Sequence, residues 1–314
     1  MRQSDVMVYL MTGFLDSGKT QFLTFTLEQD YFQIQGKTLL ILCEEGEEEY
    51  DPKEMLKYGV VIEKVEDKED LTEAWLEEMN RKHKPERVVV EYNGMWPVSD
   101  FEKLALPAGW KIEQKIATVD ASTFQMYLTN LKPLFVEMVK GAELVLFNRC
   151  EDRGPLAGYR RSVKVVSPQA EVIFEDENGE VDNIFEDEVP YDLNAPVIEI
   201  RREDYGIWYV DMMDNLKKYV DKTVRFKGQV LKSRELNAGF FVPGRMAMTC
   251  CEADMTFLGF MCKAKNARLL ETKDWVKVRA RVEYEYMPEY EGEGPMLYAD
   301  YVEKAEPIEE IVQF

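Results

Sequence analysis

Basic residues are scarce in this chain. Lys and Arg number 39 against 60 Asp and Glu, which leaves a formal net charge of −21 at pH 7. A surface of that sign repels nucleic acid and anionic headgroups, and argues against DNA or RNA as a partner. Histidine is nearly missing. His83 stands alone, and its setting, Asn80-Arg81-Lys82-His83-Lys84, indicates a surface helix end rather than a ligand site. Cysteine is sparse and odd in number, five in 314 residues, which fits a reducing cytoplasm better than a disulfide scaffold. No apolar run approaches the roughly 20 residues of a membrane helix. The first five residues lead straight into apolar sequence and leave no room for a signal peptide. The expectation is a cytoplasmic protein with no direct membrane insertion.

Apolar material, by contrast, is plentiful. Hydrophobic residues make up 46% and aromatic residues 12% of the chain, enough to build buried cores, and the length suggests about two domains. Residues 13 to 20 read Gly-Phe-Leu-Asp-Ser-Gly-Lys-Thr, a complete G-x-x-x-x-G-K-[ST] phosphate-binding loop. The apolar run Val6–Met11 precedes it as a strand, and Gln21 to Gln29 follows as a helix, which is the context the motif requires. Gly13 and Gly18 let the backbone curl around phosphates, with Asp16 and Ser17 between them. Lys19 neutralises the β/γ oxygens, the helix N-terminus adds its positive end, and the Thr20 hydroxyl can ligate Mg²⁺. These residues imply a nucleoside triphosphate ligand.

The remainder of the first half alternates apolar runs with helical patterns. Strands are expected at Val6–Thr12, Thr38–Cys43, Val60–Lys64, Arg87–Glu91, Ile112–Val119, Leu144–Asn148 and Glu171–Phe174, with helices clearest at Leu71–Lys82 and Phe124–Val139. Continuously apolar strands separated by helices predict an α/β fold with a mainly parallel sheet covered on both faces. Ligands of such sheets sit at the carboxyl ends of the strands. There, Val88-Val89-Val90 leads into Glu91 and Gly94. The carboxylate suits Mg²⁺ held through water, and Gly94 lets a backbone N–H approach a γ-phosphate. Another strand end carries Asn148-Arg149-Cys150-Glu151-Asp152, similar to the N-K-x-D of GTPases. Asn148 would brace the phosphate loop, and Glu151, or Asp152 in its stead, would pair with guanine. An ordinary polar loop after a strand is the alternative.

Taken together, these motifs resemble the CobW-like branch of the CobW/HypB/UreG P-loop GTPases over roughly residues 5 to 190. Further matches are Thr118-Val119-Asp120-Ala121, Ser167-Pro168-Gln169-Ala170, and Cys43-Glu44-Glu45-Gly46-Glu47, which is similar to the branch's switch segment. The resemblance implies GTP and Mg²⁺ as ligands, hydrolysis coupled to delivery of a metal or to a client protein, and a homodimer. One departure concerns metal. The branch's C-x-C-C is missing near Val60–Val65, so thiolate ligation at that place is absent. The acids from Glu44 to Asp51 offer hard oxygen ligands suited to Mg²⁺, with Glu44 also the switch candidate; a solvated loop is the competing reading.

Residues 175 to 196 are acidic and turn-rich, and domains are expected at 1–190 and 221–314, joined by a strand and helix over 191–220. Period-two alternation at Thr223–Val230 and Trp275–Tyr284, with a short strand at Leu297–Val302, predicts a small antiparallel β-barrel, OB-like. Cys250 and Cys251, with Cys262 downstream, are either ligands for Zn²⁺ or another transition metal or core thiols. The block Thr249-Cys250-Cys251-Glu252-Ala253-Asp254 is similar to the C-terminal domain of an uncharacterised family of predicted two-component permease subunits. Two functional readings stand open: a metallochaperone-type GTPase, and a nucleotide-gated regulatory subunit of a permease with no metal of its own. A small-molecule kinase is a weaker third. Hydrolysis is expected to be slow without a partner, because no water-positioning glutamine or arginine finger is evident.

Overall fold

Successive side chains along the first-half strands fall into two different buried clusters. Val8 and Leu10, Leu39 and Ile41, and Val88 and Val90 belong to one, while Met11, Leu40, Leu42 and Val89 belong to the other. A strand that buries both faces has no polar side to show, which is why these segments are continuously apolar. A computed structural model describes residues 5–181, 189–233, 236, 239–248, 255–287, 292–308 and 311–312. The chain divides into two units, Met1–Ile184 and Phe185–Phe314.

In the first unit the elements follow in the order β1 (Val6–Thr12), α1 (Lys19–Glu28), β2 (Thr38–Leu42), α2 (Pro52–Lys57), β3 (Val60–Lys64), α3 (Glu73–His83), β4 (Arg87–Glu91) and α4 (Val98–Glu102). Then come β5 (Trp110–Asp120), α5 (Ala121–Asn130), α6 (Lys132–Val139), β6 (Leu144–Asn148), α7 (Leu156–Val166), β7 (Glu171–Asp176) and β8 (Gly179–Glu180). The sheet order is β3-β2-β4-β1-β5-β6-β7-β8. Strands β1 to β7 run parallel, and only β8 turns back antiparallel on β7. Leu23 and Leu27 of α1 and Met55 of α2 cover one face; α3 to α7 cover the other through Leu76, Phe101, Phe124, Phe135 and Tyr159. The chain leaves β1 to one side and returns to the other, so β1 sits between β4 and β5 and the switch point opens at its carboxyl end.

Two of the departures from the sequence expectation have clear local reasons. The helix expected from Leu71 starts at Glu73, because the Thr72 hydroxyl accepts the Trp75 N–H at 3.2 Å and caps it. The single helix expected over Phe124–Val139 is two helices, interrupted at Leu131. Pro133, near the start of α6, has no N–H to continue the ladder and disfavours helical backbone before it.

The second unit comprises β9 (Ile198–Glu199), α8 (Tyr205–Asp214), β10 (Thr223–Leu231), β11 (Phe240–Met248), β12 (Met255–Gly259), β13 (Met261–Lys263), β14 (Trp275–Met287) and β15 (Gly292–Lys304). Five strands close a ring in the order β10-β11-β13-β15-β14, with β12 and β9 added at its margins. This is the Greek-key order of an OB-type barrel; all its ring pairings are antiparallel except β13 with β15. Alternation puts Val224, Phe226 and Val230, and Val276, Val278, Ala280 and Val282, in the interior. Helix α8 packs Trp208 on Phe226 and Phe260, with centroids 4.8 and 5.3 Å apart. The strand β11 was not legible beforehand, because Pro243 and Gly244 interrupt its pattern.

Among the described residues no helix is long and apolar enough to cross a membrane. Phe147 of β6 lies 4.8 Å from Phe174 and 5.2 Å from Phe124 between ring centroids. Phe147→Ala is expected to destabilise the protein by about 3–5 kcal/mol, read by urea unfolding.

Candidate functional site

The carboxyl ends of four adjacent parallel strands flank the turn between β1 and α1: β4 and β1 end within one residue of each other, and β5 and β6 run three residues further. Met11 pairs with Glu91, Thr12 with Ala117 and Asp120 with Asn148. Residues at or just beyond those ends therefore border this turn. That turn uses left-handed backbone at Asp16 (φ 58°) and Gly18 (φ 88°), and Gly18 forms the N-cap of α1 without a side-chain cap. The first N–H groups of α1 are left for an anion.

The loop is braced from three sides. From β5, Thr118 Oγ1 meets Ser17 Oγ at 2.9 Å. From β6, Asn148 Nδ2 donates to Ser17 O at 2.8 Å, and a Cβ on Gly18 would stand only 2.5 Å from that amide nitrogen. From the β4 side, Gly94 lies so close that a Cβ there would collide with Gly13 O and stand 2.8 Å from Phe14 Cα. Glycine is required at Gly94 by approach to other backbone rather than by its own dihedral angles.

Lys19 is nearly buried and donates to Gly13 O and Phe14 O, each at 2.9 Å. It also forms an ion pair with Glu44. Glu44 Oε2 accepts the Gly94 N–H at 3.2 Å. Glu44 was expected as a Mg²⁺ or switch residue; in this structure its carboxylate faces Lys19 and Gly94. Glu91 is buried, and its Oε1 accepts the Thr20 hydroxyl at 2.8 Å while Oε2 accepts the Tyr50 hydroxyl. Burial raises the Glu91 carboxyl above its usual range, against the Tyr50 and Thr20 hydrogen bonds and the Lys19 charge. A hydroxyl and a carboxylate in direct contact beside the loop lysine form a hard-oxygen donor set that fits Mg²⁺.

After β6, Arg149 takes left-handed backbone (φ 54°). Its guanidinium donates to Asp16 O at 3.0 Å and Asp120 Oδ2 at 2.7 Å, tying loop and strand ends together. Cys150 turns inward, its thiol pushed up to about 11 by burial, and Glu151 turns outward. Asp152 Oδ1 is engaged in its own turn, accepting the Gly154 N–H at 3.0 Å. Asn148 Oδ1 is buried with no hydrogen-bond partner, an acceptor available to a ligand.

Tyr50 is the residue the sequence reading passed over. It is the single aromatic in the acidic run Glu44–Asp51, which is the signal for a side chain that goes inward. His83 was expected at the surface; its ring is partly buried, with Nε2 2.6 Å from Glu63 Oε1. Cys43 and Cys262 are buried, and burial raises both thiols. Cys250 and Cys251, with Thr249 and residues 252–254, lie outside the described residues. Among the described residues no group of three or more His, Cys, Asp or Glu could hold a metal ion.

Residues 7–174 match the CobW/HypB/UreG nucleotide-binding domain. The chain belongs to the CobW/HypB/UreG family. Residues 177–312 match the DUF1980 C-terminal domain, so this CobW/HypB/UreG member joins two family units in one chain. No curated protein matches the sequence. Solved structures that resemble it include the hydrogenase maturation factor HypB from Archaeoglobus fulgidus, at TM-score 0.41 and 19% identity, over 55% of this chain and 81% of that one. The Zn(II)-bound YjiA GTPase from E. coli aligns at TM-score 0.43 and 19% identity, over 82% of this chain and 89% of that one. A Zn(II)-bound triple mutant of YjiA aligns at TM-score 0.44 and 20% identity over the same shares.

For Glu91 the sign of the pH dependence follows from its raised folded pKa. The protonated carboxyl stabilises the fold, and that contribution is lost as pH rises through the folded value. Glu91→Gln keeps the shape and removes the buried charge. Its thermal stability relative to the parent is expected to increase from about pH 5 to pH 8, by of order 1 kcal/mol, while its affinity for Mg²⁺-nucleotide falls.

Proposed function

We propose that this protein is a GTP-binding and GTP-hydrolysing switch of the metallochaperone type, in which nucleotide state governs delivery of a metal or release of a client protein. The observation that carries the proposal is the convergence of Lys19, Thr20, Glu91, Gly94 and Asn148 on one phosphate loop. Lys19 would neutralise the β/γ oxygens. Thr20 and Glu91 would hold Mg²⁺, which offsets charge developing on those oxygens during transfer to water. The Gly94 N–H would meet the γ-phosphate. Asn148, braced on Ser17, would present its carbonyl and the adjoining strand end to the base, with Glu151 free to pair with guanine. The Arg149 guanidinium already serves Asp16 and Asp120, which supports slow hydrolysis until a partner completes the site.

Cys250, Cys251 and Cys262 are proposed as the transition-metal site, with Zn²⁺ the first ion to test. The buried, raised thiol of Cys262 favours the second reading, in which the barrel is a docking module for a client or permease and the thiols are core residues. Domain limits of 1–190 and 221–314, a cytoplasmic setting and a homodimer complete the proposal, with no nucleic-acid partner.

Calorimetry should show GTP·Mg²⁺ binding by the full chain, lost by tenfold or more in Lys19→Ala, since about 1.4 kcal/mol is tenfold. Turnover of the purified chain alone should be of the order of 10⁻⁴–10⁻² s⁻¹. For the metal, the chain is purified without chelator beside Cys250→Ser/Cys251→Ser. Bound transition metal that disappears in the double variant and changes with GTP·Mg²⁺ supports delivery. No metal in any state leaves the docking module.

A further inference from the structure

The acidic run after β2 folds over the phosphate loop and is tied there along its length. Glu44 pairs with Lys19 and accepts the Gly94 N–H at 3.2 Å. The Glu47 N–H donates to Asp16 Oδ1 at 3.3 Å. The Tyr50 hydroxyl donates to Glu91. Lys64 of β3 holds Glu45 from the outer side. The Glu44 and Lys19 side chains are only 8% and 3% exposed, so the pair lies out of water and is weakly screened.

Glu44 therefore uses the same two donors that the GTP reading gives to the γ-phosphate. Two anions cannot share them, because like charges in contact repel strongly where the dielectric is low. The space left at the loop, between Glu44, Lys19, Thr20 and Asp16, is about 70 Å³, well under the roughly 300–1,000 Å³ of a ligand pocket. We propose that Glu44 is a built-in competitor of the γ-phosphate, which makes the site report whether a nucleotide carries its third phosphate. This inference rests on the GTP-binding function proposed above.

A diphosphate ends at the loop N–H groups and leaves Gly94 and the outer side of Lys19 to Glu44. A triphosphate needs both and expels the carboxylate. Glu44, Glu47 and Tyr50 lie on one short segment, so expulsion also takes the Glu47 N–H from Asp16 and the Tyr50 hydroxyl from Glu91. Glu91 Oε2 then becomes free for Mg²⁺. A cavity of about 600 Å³ bordered by Tyr50, Leu56, Ile62 and Glu49 adjoins the segment, so the segment can shift without opening the sheet core. One charge displaced at Lys19 becomes a rearrangement of residues 44–50.

The test compares the full-length parent with Glu44→Gln, which keeps size and removes charge. Affinities for Mg²⁺ complexes of GDP and of a non-hydrolysable GTP analogue are measured by calorimetry. The expected result is that Glu44→Gln binds the GTP analogue about tenfold more tightly, with GDP affinity nearly unchanged. Digestion of the parent by a glutamate-specific protease supplies a readout that needs no variant: cleavage within 44–50 should accelerate with the GTP analogue and not with GDP. A parallel change in both affinities, or equal cleavage with both nucleotides, overturns the competitor. Weaker binding of the GTP analogue by Glu44→Gln also overturns it and makes Glu44 a Mg²⁺ ligand. A parent that binds neither nucleotide overturns the GTP reading itself, a result distinct from a parent that binds both without discrimination.

Discussion

The structure depends on where its central parallel strands end. Because β4 stops beside β1 while β5 and β6 run three residues past it, residues at or just beyond their ends flank the loop between β1 and α1. Loop backbone that would otherwise be costly to fix is then over-determined. Ser17 is held from β5 and β6, Gly13 is pressed by Gly94, and Asp16 is gripped by Arg149. Strain of this kind persists only where surrounding structure enforces it, and here the enforcement comes from three separate segments of chain.

The same convergence concentrates charge out of water. Lys19, Glu44 and Glu91 are all buried within one corner of the sheet. Burying a charge is unfavourable unless it is paired and hydrogen-bonded, and each of the three finds partners. Lys19 has two carbonyls and a carboxylate, while Glu91 has two hydroxyls. Such an arrangement is poor for stability and suited to exchange, since any incoming anion or cation must take over partners already in use. Residues 44–50 are thereby tied to the loop between β1 and α1 by an ion pair and hydrogen bonds rather than by proximity alone.

The second unit has a different logic. Its ring of β10, β11, β13, β15 and β14 leaves a small interior, filled by alternate Val, Ala and Phe side chains and covered by the aromatic face of α8. Cys262 belongs to that interior, and burial keeps its thiol protonated. Packing is the role that the burial of Cys262 supports.

Much of the first unit was legible in the sequence. Unbroken apolar runs identified β1, β2, β4 and β6, because strands covered on both faces admit no polar alternation. The phosphate loop was legible because Gly, Lys and Thr at fixed spacing each answer a separate demand of phosphate. Asn148, Glu91 and Gly94 followed from their places at strand ends. The break at Leu131 and the strand through Pro243 were not legible, since local propensity there competes with tertiary contacts. What the sequence alone determined is which residue types stand in the loop and at the strand ends, a set whose chemistry suits phosphate and Mg²⁺. Only the tertiary structure decided that Glu44 faces Lys19 and that Tyr50 lies on Glu91, because those pairings join residues far apart in the chain through strand register. Register is a property of the folded sheet and has no signature in any single segment.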